Sequence, residues 1–486
     1  MNKSSITLKT ENHKSDYELQ NIINIFEPYM DKASCYTIIS QLQGKTCSTE
    51  VFENDVLVAQ STQTVATSDL NEEAQKHIIR QALKKSLYVV LSQITRQQLP
   101  WGVLTGIRPT KIVHTYKARQ YTKSSIMQTL IGDYCISREK ASLMMEIAEK
   151  EEQILSKNKD NELSIYIGIP FCPTRCLYCS FTSYPLDRKG QQVEAYISAL
   201  IKEIIFIGKT TKDRPIRSLY IGGGTPTSLN EIQLERLLSE VNKRFQLENI
   251  QEYTVEAGRP DTISREKLQI MKKYGVDRIS INPQTMNQKT LDVIGRSHRV
   301  QEIVDVFNIA REEGHDNINM DLIVGLPGEI SEDVMATMAK IQELSPDSIT
   351  VHTMAIKRAS RLKETMDEYE LTSGSDVEKM LAITAEGALK MGMEPYYMYR
   401  QKDMMGNFEN VGYATPGKEC IYNIQMIAEQ QTIIAMGAGA VTKVVYDGER
   451  GIERIPNVKN LEAYIERIDE MIERKSIDIL INNARI

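Results

Sequence analysis

From about residue 163 onward, short apolar runs of β type alternate along the chain with longer patterns of helical spacing. Apolar runs bounded by glycine, proline or polar residues indicate buried strands, and the longer patterns between them indicate helices. The runs lie at 163–170, 218–224, 252–258, 278–284, 317–327 and 348–355, and the helical patterns near 191–207, 230–245, 263–274, 300–313 and 331–344. This alternation, with right-handed crossovers, predicts an α/β fold with a parallel, curved sheet and helices outside it.

The two ends of the chain show different patterns. Residues 35–42 and 48–62 predict two or three strands, and 71–94 and 137–157 have apolar residues at helical spacing. Residues 459–486 look helical with a charged face. We therefore predict three domains: an N-terminal α+β domain at 1–157, a domain with the curved parallel sheet at 158–356, and a mixed or helical C-terminal extension at 357–486. The family resemblance described below implies that the second domain is a barrel and that the extension closes over substrate.

Composition narrows the class of protein. The chain has 486 residues, 41% of them hydrophobic and 26% charged, with a net charge of −6, as expected for a globular protein of more than one domain. It shows no run of about 18 apolar residues and no apolar leader, so we expect a cytoplasmic protein without a membrane span. The charge gives no reason to expect nucleic acid as a partner.

Cys172, Cys176 and Cys179 stand within eight residues, whereas the other four cysteines are scattered. Zinc sites usually add a second cysteine pair or two spaced histidines, and neither follows here. Thiolates also bind iron–sulfur clusters, and three of them on a 4Fe–4S cube leave one iron open for a ligand. A zinc site or three unrelated core thiols remain alternatives on spacing alone.

The C-x3-C-x2-C spacing after a strand, with an aromatic before the last cysteine, resembles the signature of the radical S-adenosylmethionine (SAM) superfamily. The resemblance implies a partial (β/α)6 barrel and a 4Fe–4S cluster with three Cys ligands, Cys172, Cys176 and Cys179, and one open iron. It implies one or two bound SAM molecules. In that superfamily the cluster passes one electron to SAM, and the radical that forms abstracts hydrogen from substrate, so no catalytic residue is expected beyond the cluster and SAM.

The matched region resembles the oxygen-independent coproporphyrinogen III oxidase family most closely. The motifs are "PFCPTRCLYC", "GGGTPT", "DLIVGLPGE", "YATPGKECIYNIQ" and "MGAGA", and the last two resemble the segment that closes the barrel mouth in these proteins. Positions that contact SAM in the family are carried over to Tyr166, Tyr178, Gly223, Gly224, Thr225, Glu256, Gln284, Arg296, Asp321 and Ala355. Glutamate is expected to bind the ribose hydroxyls and arginine the SAM carboxylate.

The phrases "LPWGVLTGIRPTK" and "MYRQKDMMGNFENVGY" resemble the HemZ type, coproporphyrinogen dehydrogenase-like proteins of Gram-positive bacteria. This implies an oxidoreductase of porphyrin and haem biosynthesis that converts two propionates of coproporphyrinogen III to vinyl groups and yields protoporphyrinogen IX. The expected partners are the tetrapyrrole, an external one-electron donor of the flavodoxin or ferredoxin type, and an electron acceptor. Candidates to meet the substrate carboxylates are Arg108, Lys111, Arg400 and Lys402.

Two positions depart from the oxidase pattern. Phe181 stands where those oxidases have a fourth cysteine, and Gly168 stands where they have a histidine. The haem chaperones of the superfamily also lack that fourth cysteine. Two alternatives therefore stay open, namely a haem-binding or haem-trafficking protein and a radical SAM enzyme acting on another tetrapyrrole.

Overall fold

The computed structural model describes residues 5–66, 71–181, 183–357, 359–370, 372–401, 404–446 and 451–483. The chain divides into two compact units. One unit is Met1–Ala148 with Gly406–Phe408, and the other is Glu149–Met405 with Glu409–Ile486. The finer boundaries predicted at 157 and 356 stay a prediction.

The N-terminal unit pairs a four-stranded sheet, in the order β1-β2-β3-β4, with helices. β1 runs parallel to β2, whereas β2, β3 and β4 are antiparallel neighbours. Strands β2–β4 and helix α2 correspond to the predicted patterns, while β1, α1, α3 and α4 have no counterpart in the sequence analysis. The elements are β1 (Ser5–Glu11), α1 (Asp16–Phe26), β2 (Cys35–Gln43), β3 (Thr46–Glu53), β4 (Val56–Thr64), α2 (Glu72–Thr95), α3 (Thr110–Ala118), α4 (Lys123–Gly132) and α5 (Arg138–Leu155), the last of which continues into the second unit.

The second unit contains all six predicted strands and the five predicted helices between them. Its first part comprises β5 (Leu163–Ile169), β6 (Phe171–Cys172), β7 (Tyr184–Pro185), α6 (Leu186–Lys189), α7 (Val193–Thr210), β8 (Ile216–Gly223), α8 (Glu231–Arg244), β9 (Glu252–Gly258), α9 (Arg265–Lys273), β10 (Arg278–Ile281), α10 (Gln288–Val293), α11 (Val300–Glu312), β11 (Ile318–Val324), α12 (Ser331–Leu344) and β12 (Ser348–Thr353). It continues with α13 (Arg361–Glu364), α14 (Gly374–Lys390), β13 (Glu394–Tyr399), β14 (Asn410–Ala414), α15 (Ile421–Ala428), β15 (Ile433–Met436), β16 (Val441–Val445), β17 (Ile452–Pro456), α16 (Leu461–Glu466) and α17 (Ile468–Asn483).

One mixed sheet organises this unit, in the order β13-β14-β12-β11-β10-β9-β8-β5-β15-β16-β17. The predicted strands β5 and β8 to β12 are parallel neighbours, and β15 adds a further parallel strand beside β5. The remaining strands extend the two edges in antiparallel fashion. Because both ends of the strand order are open, the parallel part is a partial barrel rather than a closed one, as the family resemblance implies.

The segment "YATPGKECIYNIQ" (413–425) lies at the amino ends of the parallel strands. The Thr415 backbone N–H donates to the carbonyl of Asp347, just before β12, and Lys418 donates to the carbonyl of Asp316, before β11. Glu252, the first residue of β9, accepts hydrogen bonds from the first backbone N–H groups of α15. Two backbone carbonyls before the strands and the carboxylate of Glu252 thus hold this segment at the amino ends of the strands. The expectation that the C-terminal extension closes over substrate stays a prediction.

A buried ion pair fixes the loop that follows β15. Lys475 of α17 binds the carboxylate of Glu203 on α7, and both side chains are fully buried. The same carboxylate accepts hydrogen bonds from the backbone N–H of Gly437 at 2.9 Å and from the Tyr464 hydroxyl at 2.6 Å. These hydrogen bonds satisfy the buried charge and hold Gly437 beside the carboxyl end of β5. Within the described residues, no helix combines the length and apolar character needed to span a bilayer.

Candidate active site

The three clustered cysteines lie on one loop at the carboxyl end of β5. The loop begins with β6, which pairs with β7, and Tyr184 N–H donates to the carbonyl of Pro170 to close it. Within it, Cys179 N–H donates to the carbonyl of Cys176 at 3.2 Å. Cys176 is buried, and Cys172 and Cys179 are partly exposed. We call residues 171–181 the cysteine loop.

The thiols of this loop are close enough to affect one another electrostatically. Burial, with a smaller contribution from the neighbouring thiols Cys179 and Cys176, raises the pKa of Cys172 to about 11. Burial also raises the pKa of Cys179. Among the described residues, no group of three or more His, Cys, Asp or Glu could hold a single metal ion. A 4Fe–4S cube instead binds each thiolate at a different iron, and binding iron deprotonates the thiol. The thiol set fits that group better than a zinc ion.

Arg259, at the end of β9, fixes the start of the loop. Its guanidinium is almost fully buried and donates to the carbonyl and hydroxyl of Thr174, the latter at 2.7 Å. Asp261 neutralises it through two hydrogen bonds of 2.9 and 2.7 Å. The sequence analysis does not single out Arg259, although its place directly after a buried strand is a usable signal.

The glycine-rich turn after β8 packs directly against the cysteine loop. Gly224 N–H donates to the carbonyl of Ile169 at 2.8 Å, and Thr225 N–H donates to that of Phe171 at 2.7 Å. A Cβ on Gly224 would lie 2.5 Å from the Phe171 carbonyl oxygen and 3.0 Å from Cys172 Sγ, so only glycine fits. Gly223 has φ +112°, a conformation open to glycine alone. Gly223, Gly224 and Thr225 thus form a turn directly beside the cysteine loop, and their contact with SAM stays a prediction.

Glu256 of β9 lies inside the barrel beside this turn. Its carboxylate accepts a hydrogen bond from the Tyr220 hydroxyl at 2.5 Å and one from Gly223 N–H at 3.2 Å. Burial raises the pKa of Glu256 to about 7, against the stabilising effect of the Tyr220 hydrogen bond, and the nearby Asp321 carboxylate adds to the increase. A buried carboxylate with so few donors has acceptor capacity left for the hydroxyls of a ligand.

Arg296 brings a buried positive charge to the cysteine loop. Its guanidinium donates to the carbonyl of Asn282 at 2.6 Å and to the Tyr178 hydroxyl at 3.4 Å. The Nε atom of Arg296 is buried and has no hydrogen-bond partner among the described residues. Burial raises the pKa of Tyr178, although the guanidinium opposes that increase. An unsatisfied buried donor on a guanidinium fits a carboxylate ligand such as that of SAM.

On the next strands, Gln284 and Asp321 come together through their backbones. Gln284 N–H donates to the carbonyl of Asp321 at 3.0 Å, and Gln284 adopts φ 69°, which is uncommon for a side-chain-bearing residue. Burial would raise the pKa of Asp321, but hydrogen bonds from His352 and Asn319 hold it below its usual value. Tyr399 lies against the other side of the His352 ring, 3.3 Å from Nδ1. The sequence analysis does not single out His352.

Tyr166 of β5 belongs to a stack of three aromatic rings in the barrel. Its ring lies 6.3 Å from that of Tyr220 and 5.9 Å from that of Tyr422, and Tyr220 and Tyr422 are 4.5 Å apart. Tyr422 comes from α15, so the segment at the amino ends of the strands also lines the interior. Cys420, on the same segment, contacts Glu252 at 3.4 Å and lies with it away from the cysteine loop.

The remaining predicted positions are dispersed. Ala355 follows β12 and forms an isolated bridge with Met404. Arg400 is only 2% exposed, and burial lowers its pKa to about 10, against the opposing charge of Glu409. Arg108 and Lys111 belong to the N-terminal unit, and Lys402 lies outside the described residues. Apart from Ala355, the predicted SAM positions thus lie around the barrel interior, and Arg400 is the one substrate candidate of this unit within the described residues.

Residues 166–341 match the model of the radical SAM superfamily. The chain is 40% identical over 410 residues to the oxygen-independent coproporphyrinogen-III oxidase-like protein HemZ of Bacillus subtilis, covering 82% of each chain. It is 31% identical over 310 residues to the haem chaperone HemW of the same organism, covering 63% of this chain and 76% of that one. Among solved structures, coproporphyrinogen III oxidase (HemN) from Escherichia coli, a radical SAM enzyme, matches with a TM-score of 0.54 and 25% identity over 67% of this chain and 73% of that one.

Proposed function

Because the chain belongs to the radical SAM superfamily, and within it to the HemZ-type coproporphyrinogen-III oxidase-like proteins, we propose that it oxidatively decarboxylates coproporphyrinogen III. A 4Fe–4S cluster and SAM are the cofactors of the superfamily. The proposed reaction turns two propionate side chains into vinyl groups and gives protoporphyrinogen IX. Each conversion removes one hydrogen atom, one electron and one CO2.

The observation that supports this most is the set of buried groups at the carboxyl ends of adjacent strands. The three thiols of the cysteine loop would hold three irons of the cluster. Arg296, with its unsatisfied Nε, would bind the SAM carboxylate, and Glu256 would accept hydrogen bonds from the ribose hydroxyls. Gly223 and Gly224 let the backbone come close to both groups.

When bound, the cluster and SAM supply a one-electron route to hydrogen abstraction at an unactivated carbon. The residues of the chain itself bind the cofactors, orient the substrate and shield the radical from water. No protein base is needed for the abstraction, so positioning carries the step. The stacked rings of Tyr166, Tyr220 and Tyr422 belong to a buried aromatic cluster, which makes the interior beside Glu256 apolar. Arg400 and Lys402 remain the candidates for the substrate carboxylates on this unit, and Arg108 and Lys111 on the N-terminal unit.

The test uses full-length protein with the cluster reconstituted under anaerobic conditions. It is incubated with SAM, a reductant and coproporphyrinogen III, and the porphyrins are oxidised and separated by chromatography. We expect the vinyl product together with 5′-deoxyadenosine, and neither with Cys176→Ser, which lacks one thiol. Gly190→Ala, in an open turn, is the matched control and should behave as the wild type. SAM cleavage without vinyl product would contradict the substrate assignment.

A second candidate function is haem binding or trafficking. It is supported by Phe181, which takes the position of the fourth cysteine of the oxidases, and by the 31% identity to a haem chaperone. Haem titration followed by gel filtration distinguishes the two functions. Stoichiometric haem retention combined with no vinyl product would favour the chaperone, and free haem with product would exclude it.

A further inference from the structure

The strand β10 stops short of its two neighbours in the sheet. It has four residues, Arg278–Ile281, whereas β9 and β11 beside it have seven each. The chain leaves the sheet at Asn282 and meets β11 once more at Gln284, in an isolated bridge with Leu322. Interruptions of a ladder are common next to active sites, where they redirect a side chain or end the pairing.

Asn282 replaces the missing ladder contacts at this break. Its backbone N–H donates to the carbonyl of Gly258, the last residue of β9, at 2.7 Å. Its side-chain Oδ1 accepts the backbone N–H of Asp321 on β11 at 3.2 Å, a donor that meets a backbone carbonyl in a regular parallel ladder. Because the side chain takes over the acceptor role, the backbone carbonyl of Asn282 is left for another donor.

The donor that uses this carbonyl is Arg296. Its guanidinium donates to the Asn282 carbonyl at 2.6 Å, whereas its contact with the Tyr178 hydroxyl is 3.4 Å long. Its Nε atom is buried and has no partner among the described residues. Hydrogen bonds weaken steeply with distance, so the carbonyl of Asn282 is the stronger of these two contacts and does more to fix the direction of the guanidinium.

The far end of the break is held as firmly as its start. Gln284 has φ 69°, and it is tied to β11 on both sides. Its N–H donates to the carbonyl of Asp321 at 3.0 Å, and its carbonyl accepts the N–H of Ile323 at 2.9 Å. A left-handed conformation of a residue with a side chain is unfavourable by itself and persists only where its surroundings enforce it. The break is therefore rigid, and it presents the Asn282 carbonyl in one direction.

We propose that Asn282 is a positioning residue, which aims the guanidinium of Arg296 at the carboxylate of SAM without contacting SAM itself. The inference rests on the proposed function in one respect, namely that Arg296 binds that carboxylate. The side chain of Asn282 acts through its own backbone, because Oδ1 fixes the residue whose carbonyl Arg296 contacts. Hydrogen bonds between arginine and a carboxylate are directional, so a guanidinium that is free to swing binds the carboxylate less tightly.

The competing explanation is that Asn282 only completes the sheet. An asparagine with that role would affect every ligand of the interior alike, whereas a positioning residue affects only ligands that carry the amino-acid carboxylate. Two analogues of SAM separate these effects. S-adenosylhomocysteine has the carboxylate, and 5′-methylthioadenosine lacks the whole amino-acid part. Neither has the sulfonium that is split in SAM, so their binding is measured without turnover.

The experiment measures the affinity of both analogues by equilibrium dialysis against full-length protein with its cluster reconstituted. Asn282→Leu removes Oδ1 at a similar side-chain volume. We expect it to weaken binding of S-adenosylhomocysteine about tenfold and that of 5′-methylthioadenosine by less than about twofold, as for the loss of one hydrogen bond to a charged group. Asn282→Asp keeps an oxygen acceptor for Asp321 N–H and should retain the wild-type preference. Asn242→Leu removes an exposed side-chain amide of α8 and is the matched control, which should change neither affinity. If Asn282→Leu does not fold, Asn282→Ser, whose hydroxyl is too short to replace Oδ1, has the same expected result.

A double variant tests whether Asn282 acts through Arg296. In the Arg296→Met background, the further change Asn282→Leu should leave the affinity for S-adenosylhomocysteine as it is. The proposal is overturned if Asn282→Leu weakens both analogues equally or weakens neither, or if it weakens S-adenosylhomocysteine binding further in that background. It is also overturned if the wild type binds both analogues equally, because Arg296 would then not bind the carboxylate. A preference for S-adenosylhomocysteine that depends on Asn282, in a protein that forms no vinyl product, would count against the proposed substrate and support this role of Asn282.

Discussion

We expect Glu256 to make SAM binding depend on pH. Burial raises its pKa from the ordinary 4.5 to about 7, with Asp321 adding to the increase. At about 1.4 kcal/mol per unit, the interior therefore favours the neutral acid by about 3 kcal/mol. The neutral acid offers the ribose hydroxyls a weaker acceptor, since hydrogen bonds to charged groups are worth about 1.5–3 kcal/mol.

If only the carboxylate form binds SAM well, the dissociation constant should rise about tenfold for each pH unit below about 7. Between pH 8 and pH 5.5 that amounts to about thirtyfold weaker binding. Glu256→Gln, which cannot titrate, should bind weakly at both pH values, so its dissociation constant should stay flat. Equilibrium dialysis of SAM against the cluster-loaded protein measures both curves.

The control is Glu266→Gln, an exposed carboxylate on α9 that should keep the pH dependence of the wild type.

The raised pKa of Glu256 also makes the folding stability of the protein depend on pH. A raised carboxyl pKa contributes stability that is complete below pH 4.5 and is lost as the pH rises toward 7, so unfolding should become easier over that window. A wild-type dissociation constant that does not change between pH 5.5 and 8, or a Glu256→Gln variant that retains the change, would refute the reasoning.

Three further outcomes follow from the packing. Gly224→Ala puts a Cβ 2.5 Å from the Phe171 carbonyl oxygen and should lower bound iron and sulfide, with a loss of about 1–3 kcal/mol in unfolding free energy, while Gly190→Ala keeps both. Arg259→Met removes the donors to Thr174 and should reduce iron retention after gel filtration; full retention would mean that the loop holds its shape without the guanidinium. Lys475→Met leaves the Glu203 charge buried and should cost about 3–5 kcal/mol in urea unfolding, most of it recovered by adding Glu203→Gln; a cost below 1 kcal/mol would contradict a buried charge pair.

The sequence predicts the parallel strands of the barrel and their helices because each buried strand is a short apolar run with a clear end. It predicts the thiols and the glycine turn because their spacing is local. The sequence does not identify Arg259 and His352, because their roles depend on contacts with neighbouring strands. Those contacts join residues that are far apart in the sequence. The position of "YATPGKECIYNIQ" at the amino ends of the strands also escapes a sequence-based prediction. It is determined by contacts with Glu252 and Asp347, which are distant in the sequence.

The C-terminal strands are harder to predict from the sequence than the strands of the barrel. β15 is only Ile433–Met436, too short a run to separate from a buried loop by periodicity, and its partner β5 lies more than 260 residues earlier in the chain. The substrate cations could not be ranked because a lone Arg or Lys carries no pattern, and the structure shows Arg400 to be buried rather than presented to solvent.

The pairing of β15 with β5 sets an order of events during synthesis. Until the ribosome has made residues near 433–436, the strand that leads into the thiols has an open edge on one side. A nascent chain that stops earlier would expose that edge to neighbouring chains and leave its cysteines accessible to oxidants. Iron loading should therefore come late, after almost the whole polypeptide has emerged, and fragments that end near residue 356 should aggregate instead of taking up metal.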